Sequence, residues 1–359
     1  TASHNPYYDN GIKLIAASGD KFGDDVTARL EAAVVDGEFS FDKEKLGRVS
    51  EDKTAAERYK EIALGMGGKE LPLQGLKVVL DCANGCFSEI MPEVFAKLGA
   101  DVTALSCTPD GTNINRDCGS QHIDAMTAKV RDCGAMLGIA ADGDGDRIII
   151  CDEKGNRVDG DQIIAFLGKY YKEHNRLKAD TVVATIVSNP ALDRFLEGIG
   201  VKCVRSAVGE RYVIEEMKKC GSNIGGEESG HMVVADYAKT GDTMMAALVI
   251  AMGLLQSGKK MSEIFPLFTP MTRKRIDSKF CGKDEMLAAF ELAAFQAEIK
   301  QGEADIAGKG RILVRKSGTE PKIQVWVWGD DVPLATAVSN RIASVLEKAD
   351  GFESRKEVL

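Results

Sequence analysis

Residues 142–147 read Asp-Gly-Asp-Gly-Asp-Arg, so three carboxylates alternate with two glycines and end on a guanidinium. Glycines at that spacing let a loop curl its carboxylates around one centre. Three hard oxygen donors suit Mg2+, with phosphate and water oxygens completing the shell. An EF-hand is excluded: Glu153 falls at the twelfth position, but Arg147 stands at the sixth, where a glycine belongs. The alternative is an acidic turn facing solvent.

Three more polar loops carry chemistry-bearing residues. The first is Thr-Ala-Ser-His-Asn-Pro-Tyr-Tyr-Asp-Asn-Gly-Ile-Lys, from Thr1 to Lys13. Asn5-Pro6 and Asn10-Gly11 set bends. Ser3 beside His4, with Lys13 further on, could carry a phosphoryl group next to a base that takes a hydroxyl proton. A polar turn whose serine caps a helix is the alternative. The second loop, Gly225 to His231, brings Glu227, Ser229 and His231 between glycines. Its carboxylate and hydroxyl could bond vicinal sugar hydroxyls, and its imidazole could assist proton transfer. The alternative is a capped turn before a strand. The third loop, Arg315 to Pro321, offers Arg315, Lys316, Ser317, Gly318 and Thr319. Those groups can hold a phosphate dianion without reacting with it. A basic hairpin turn is the alternative.

These loops need elements to position them. Apolar runs at Val78–Leu80, 136–141, Ile148–Ile150 and 181–186 read as strands. Helical patterns lie at 54–66, 88–98, 122–132, 190–199, 210–220 and 243–255. That alternation predicts an α/β fold with a largely parallel sheet, and the Asp142 loop follows directly on a strand, where open α/β sheets place their sites. After the prolines at 266 and 270 comes a smaller unit: a helix at 284–300, strands at 312–314 and 323–328, and a helix at 333–348. Ile323, Val325 and Val327 alternate with Gln324, Trp326 and Trp328, so this strand turns one face into a core, with the tryptophans as packing. Residues 12–50 read as a short apolar stretch followed by a charged tail. No internal repeat is visible.

Composition narrows the function. The 359 residues are 44% apolar and 28% charged, with net charge −9, the balance of a globular protein. An acidic chain without a basic run argues against nucleic acid and anionic membrane as partners. No apolar stretch approaches the length of a membrane span. The nine cysteines are odd in number and lack a Cys-x-x-Cys pair, which reads as free thiols in a reducing cytoplasm.

Taken in order, the four loops resemble the α-D-phosphohexomutase family over essentially the whole chain. Thr1 to Pro6 resembles its phosphoserine loop, Asp142 to Arg147 its metal loop, Gly226 to His231 its sugar loop, and Arg315 to Pro321 its phosphate-binding loop. Within the family, the runs Pro109 to Asn115 with Cys118 to Ser120, Val208 to Val213, and Asp236-Tyr237 with Thr240 to Asp242 resemble members acting on hexosamine phosphates.

The resemblance implies three similar α/β domains and a smaller C-terminal α+β domain around a central cleft. The domains would be 1–53 (the C-terminal part of domain one), 54–155, 156–268 and 269–359. A complete member would begin before Thr1, and the chain as given is expected to show little activity alone. The resemblance also implies that Ser3 is the phosphoryl carrier and that Ser3, Asp142, Asp144 and Asp146 hold one Mg2+ per active site. Arg147 assists beside them. Lys13 and His4 are the candidate general acid and base, with Lys13 favoured on the expectation that burial and nearby cations lower its pKa. Glu227, Ser229, His231, Arg315, Ser317, Gly318 and Thr319 would bind a hexosamine phosphate, with a bisphosphorylated hexose as intermediate and activator. Such an enzyme feeds amino-sugar nucleotide and cell-wall precursor synthesis in the cytoplasm, and a homodimer is compatible with it. The competing expectations are a mannose or glucose phosphate substrate and a non-catalytic sugar-phosphate-binding fragment.

Overall fold

The computed structural model describes residues 3–37, 44, 47–67, 72–317 and 320–358. It divides into two compact units: Thr1–Thr185 with Gly200–Leu267, and Ile186–Ile199 with Phe268–Leu359.

The first unit holds two sheets. In the first sheet, β1 (Lys77–Asp81), β2 (Asp101–Leu105), β3 (Leu137–Ala141), β4 (Ile148–Asp152) and β5 (Arg157–Val158) lie in the order β2-β1-β3-β4-β5. Strand β1 runs parallel to β2 and β3. The helices Ile90–Lys97 and Asp124–Cys133 make the crossovers that parallel strands require. The β3–β4 and β4–β5 pairs are antiparallel, so the sheet is less parallel than the sequence suggests. Residues 142–147 are too few for a crossover, and β4 can only return as a hairpin. Every residue of β3 and β4 is buried, which explains their unbroken apolar runs. Val79 and Ala140 pack against Met126 and Val130 of the second helix. A Cβ on Gly138 would meet Val130 Cγ2 at 2.8 Å, so that glycine sets how closely the helix approaches.

The second sheet contains β6 (Thr181–Thr185), β7 (Lys202–Ser206), β8 (Ile224–Gly226) and β9 (Met232–Val234), in the order β7-β6-β8-β9. Its pairings repeat those of the first: β6 is parallel to β7 and β8, and β8–β9 is an antiparallel hairpin. The repeat that sequence inspection misses is therefore present in topology. The Thr243–Ser257 helix is buried from Thr243 to Ala251, in keeping with its apolar run. It is capped by Asp242, which accepts from Met245 N at 3.1 Å and from Tyr59 Oη at 2.8 Å. Such a cap contributes about 1 kcal/mol.

Before these sheets, Asp24–Asp36 is a helix rather than a charged tail. Ile12, Val34 and Val35 beside or on it are 89%, 67% and 84% exposed.

In the second unit, β10 (Thr272–Phe280), β11 (Gly310–Lys316), β12 (Lys322–Gly329) and β13 (Phe352–Val358) form an antiparallel sheet in the order β11-β12-β10-β13. Ile323, Val325 and Val327 pack on Val338 and Ile342 of the Val332–Leu346 helix. The other face is buried too: Trp326 and Trp328 pack with Ala191 and Met271. The single helix expected at 284–300 is two, Lys283–Phe290 and Ala293–Asp305. Leu292 is extended between them (ψ 126°), and Gln296 Nε2 donates to the freed Phe290 carbonyl at 2.6 Å.

Candidate active site

The Asp142–Arg147 loop joins β3 to β4, and the Glu227–His231 loop joins β8 to β9. The two hairpins meet. Arg147 and His231 form an isolated β-bridge, and Ile148 N donates to the Gly230 carbonyl at 3.0 Å. Gly230 has a φ of +100°, and a Cβ there would collide with the Ile148 carbonyl oxygen. Only glycine permits this join.

Ser3 lies against the acidic loop. Its Oγ donates to Asp142 Oδ2 at 2.7 Å. Ser3 holds the left-handed conformation (φ 55°), which L-residues adopt at a cost. His4 Nδ1 lies 3.4 Å from Ser3 Oγ and 2.8 Å from Arg147 Nη1. Burial first, then the Arg147 charge, lowers the His4 pKa, so its ring is neutral at pH 7. A neutral ring accepts from the guanidinium. Arg147 Nε is buried without a hydrogen-bond partner. An unpaired buried donor beside a serine hydroxyl suits an anionic oxygen there.

Lys13 Nζ donates to Asp144 Oδ2 at 2.5 Å and Asp146 Oδ2 at 2.9 Å. Burial acts to lower its pKa, but the bonds to the two carboxylates outweigh it and the pKa rises. This corrects the expectation of a lowered pKa, which supposed cations around Lys13. Its neighbours are acids, which favour the charged form. The ammonium takes the position of a cation among the aspartates. The oxygens of Asp142, Asp144 and Asp146 all lie within 4.8 Å of one another. Burial, then the Asp146 charge, pushes the Asp142 carboxyl up. Asp144 Oδ1 is buried with no hydrogen-bond partner. Crowded carboxylates with an orphaned oxygen and an all-oxygen donor set fit a hard divalent cation.

The β8–β9 loop is closed on itself. His231 Nδ1 lies 3.0 Å from Glu227 Oε2, and its Nε2 lies 3.0 Å from Asp146 Oδ1. Burial acts to lower the His231 pKa, but the two carboxylates overcome it and raise it to about 9. Glu227 Oε1 accepts from Gly209 N at 2.9 Å. Both oxygens of Glu227 and both nitrogens of His231 therefore have protein partners. Ser229 is exposed, with its Oγ 3.4 Å from His231 Nδ1. Of the expected sugar-binding residues it is the one on the open surface.

Arg315, half-buried, and Ser317 lie at the turn between β11 and β12 in the second unit. Ser317 N donates to the Lys322 carbonyl at 2.9 Å, closing the turn. Gly318 and Thr319 lie outside the described residues.

Three residues around the loops make contacts for which the sequence reading gave no individual role, although Asn115 and Glu210 lie in the runs 109–115 and 208–213 that carry the family resemblance. Asn115 Nδ2 donates to the carbonyls of Ser3 and Asn5, each at 2.9 Å. Thr243 Oγ1 donates to the Arg147 carbonyl at 2.7 Å. Glu210 accepts from Gly241 N at 2.6 Å and pairs with Lys21. Their roles are not visible locally, because each acts on a loop distant in sequence.

Comparison with known proteins gives four family matches in chain order. They are phosphoglucomutase/phosphomannomutase alpha/beta/alpha domain I at residues 1–40, domain II at 58–155, domain III at 159–271, and the C-terminal domain at 277–345. A phosphoglucosamine mutase of Paramagnetospirillum magneticum is 44% identical over 355 residues, covering 98% of this chain and 78% of that protein. One from Caulobacter vibrioides is 42% identical, covering 97% and 78%. Among solved structures, a phosphoglucomutase/phosphomannomutase family protein of Burkholderia thailandensis aligns with a TM-score of 0.78 at 19% identity, over 98% of this chain and 76% of its own. The N-acetylphosphoglucosamine mutase of Aspergillus fumigatus, solved with GlcNAc-6P and magnesium, aligns with a TM-score of 0.71 at 18% identity, over 96% and 87%. At those identities the structural likeness speaks for the fold.

Proposed function

The chain belongs to the phosphoglucomutase/phosphomannomutase family, and from that premise we propose that it interconverts glucosamine 6-phosphate and glucosamine 1-phosphate through a phosphorylated Ser3. The choice of amino sugar is supported by the relatives named phosphoglucosamine mutase at 41–44% identity. The observation that carries the mechanism is Ser3 Oγ bonded to Asp142 inside a cluster of carboxylates, with His4 and Arg147 beside it.

In the first transfer the bond from Ser3 Oγ to phosphorus breaks. A bond from phosphorus to a sugar hydroxyl oxygen forms, and that hydroxyl loses its proton to a base. The product is a bisphosphorylated hexose. Ser3 Oγ, the leaving group of the first transfer, takes a proton from an acid. In the second transfer the bond from the sugar's other phosphate-bearing oxygen to phosphorus breaks and that oxygen takes a proton, while Ser3 Oγ loses its proton to a base and bonds the phosphorus, restoring the phosphoserine. Phosphoryl transfer of this kind relies on positioning and on neutralising charge. Asp142, Asp144 and Asp146, with the phosphorylated Ser3, would hold Mg2+, which would supply part of that neutralisation. Arg147 supplies more through its unpaired Nε.

For the base, neutral His4 beside Ser3 is the stronger candidate, with its Nδ1 releasing Arg147 Nη1 to take the sugar hydroxyl's proton. Lys13 serves as a fixed positive charge. His231 is held as an imidazolium and suits the role of acid. Glu227 orients His231, and Ser229 meets the sugar. Arg315 and Ser317, with Gly318 and Thr319, hold the phosphate that is not reacting. The proposed domains are 1–53, 54–155, 156–268 and 269–359.

Among the described residues no helix is long and apolar enough to cross a membrane; a cytoplasmic enzyme and a homodimer are the proposed setting and assembly. Mutase rates on glucosamine, mannose and glucose phosphates test the reading. The glucosamine pair should be turned over fastest; a faster mannose or glucose reaction would replace the substrate assignment.

A further inference from the structure

We propose that Asn115 is a positioning residue for phosphoryl transfer, one that holds Ser3 in register with the acidic loop without touching the reacting atoms. The proposal rests on the reading of Ser3 as the phosphoryl carrier.

Ser3 carries a left-handed backbone with no glycine to ease it. Such a conformation persists only where its surroundings over-determine it. One amide holds both sides of this bend. Asn115 Nδ2 donates to the carbonyl of Ser3 and to the carbonyl of Asn5, both at 2.9 Å. Those carbonyls flank His4, so the bond pair fixes the bend that presents both the Ser3 hydroxyl and the His4 ring. A group that donates twice to two carbonyls must be the NH2 end of the side chain, which settles its orientation.

Asn115 is itself anchored. It is 8% exposed, and its backbone N donates to the Ala83 carbonyl at 2.9 Å, in the turn that follows β1. Its own φ of 57° suits asparagine better than most residues. It also touches the acidic loop. A Cβ on Gly143 would lie 2.8 Å from Asn115 Nδ2, so the backbone between Asp142 and Asp144 rests directly on the amide. One side chain thus contacts both partners whose spacing places Ser3 Oγ at 2.7 Å from Asp142 Oδ2. A displacement of ~1 Å at a reacting group can cost 10²-fold in rate.

The test compares Asn115→Ala with Asn115→Asp in the full chain. Asp matches Asn in shape but turns both donors into acceptors facing carbonyls. Ala leaves a space that water can enter. We expect kcat to fall by about 10²-fold in N115D and by less in N115A, with KM within about threefold of the parent in both. A residue that only fills volume gives the reverse order, because Asp is the better isostere, and that order overturns the proposal. Amide exchange at residues 3–13 is the second measurement, and it needs no activity. It should quicken in both variants while exchange in β1 and β3 is unchanged. Unchanged exchange at 3–13 also overturns the proposal, and so does faster exchange throughout β1 and β3, which marks general unfolding. Ser3→Ala is run alongside. If that variant keeps turnover, the reading of Ser3 as carrier fails. If it is inactive while N115D has parental kcat, the carrier stands and the positioning role fails.

Discussion

The β3–β4 hairpin and the β8–β9 hairpin occupy the same place in two sheets of matching strand order, yet their loops are satisfied in different ways. The first leaves Asp144 Oδ1 and Arg147 Nε buried without partners. The second spends its polar groups on itself: Glu227 accepts from Gly209 N and forms an ion pair with His231, whose other nitrogen forms an ion pair with Asp146 across the join. Buried polar atoms without partners are costly unless something fills them. The first hairpin therefore reads as the one that meets ligand charge, and the second as the one that holds it in place and sets the His231 imidazolium beside it. A single strand plan has been given two tasks by its loop residues alone.

That division can be broken from the first hairpin's side. Ser3 contacts the acidic loop through Asp142. Ser3→Ala should lower turnover by at least about 10⁴-fold, as loss of a covalent nucleophile does. Binding of the hexosamine phosphate, measured by calorimetry, should persist. Near-parental turnover would place the chemistry elsewhere.

Within the acidic loop, Asp144→Asn should weaken Mg2+ binding and slow kcat by about 10²-fold, the scale of losing one electrostatic stabiliser. Mg2+ titration followed by calorimetry gives the first quantity and steady-state rates the second. The same pair of measurements on Glu227→Gln sharpens the contrast. That substitution should leave Mg2+ affinity near the parent, since Glu227 is bonded to Gly209 N and His231 rather than grouped with the three aspartates. Equal weakening in both would mean that the hairpins share one task.

The join between them should fail at Gly230. A Cβ there strains a φ of +100° and strikes the Ile148 carbonyl. Gly230→Ala should cost about 2 kcal/mol of stability, read from denaturant unfolding. A value near zero would show that the hairpins part easily.

Much of this was legible beforehand. The buried strands β1, β3, β4 and β6 announce themselves as apolar runs, because a strand covered on both faces has no polar alternative. Strands β2, β7 and β13 did not, since each is an edge with few fully buried residues. Strand β10 is central yet reads Thr-Arg-Lys-Arg-Ile-Asp-Ser-Lys-Phe. Its Arg273 and Arg275 lie over the Trp326 ring at 5.1 and 4.8 Å, so charged residues stand where apolar ones were expected. At the site, residue types and glycine spacing mark the loops. They do not reveal the tasks of Asn115, the last residue of the run 109–115, or of Thr243, whose contacts span 112 and 96 positions. The Lys13 pKa was misjudged for the same reason: its direction depends on which charges the fold brings near, and those were the loop's own acids.

The smallest effect belongs to Ser229. It is exposed at the tip of the second hairpin, and its Oγ is 3.4 Å from a His231 nitrogen that already pairs with Glu227. Losing the hydroxyl leaves no buried group unpaired, so folding stability should stay within about 0.5 kcal/mol of the parent. What remains is the proposed bond to the sugar, and a neutral hydrogen bond of this kind contributes about 1 kcal/mol. Ser229→Ala should therefore raise KM about fivefold with little change in kcat, because a contact made equally in ground and transition states affects binding alone. If kcat falls instead while KM holds, Ser229 acts through His231 on proton transfer rather than on the sugar.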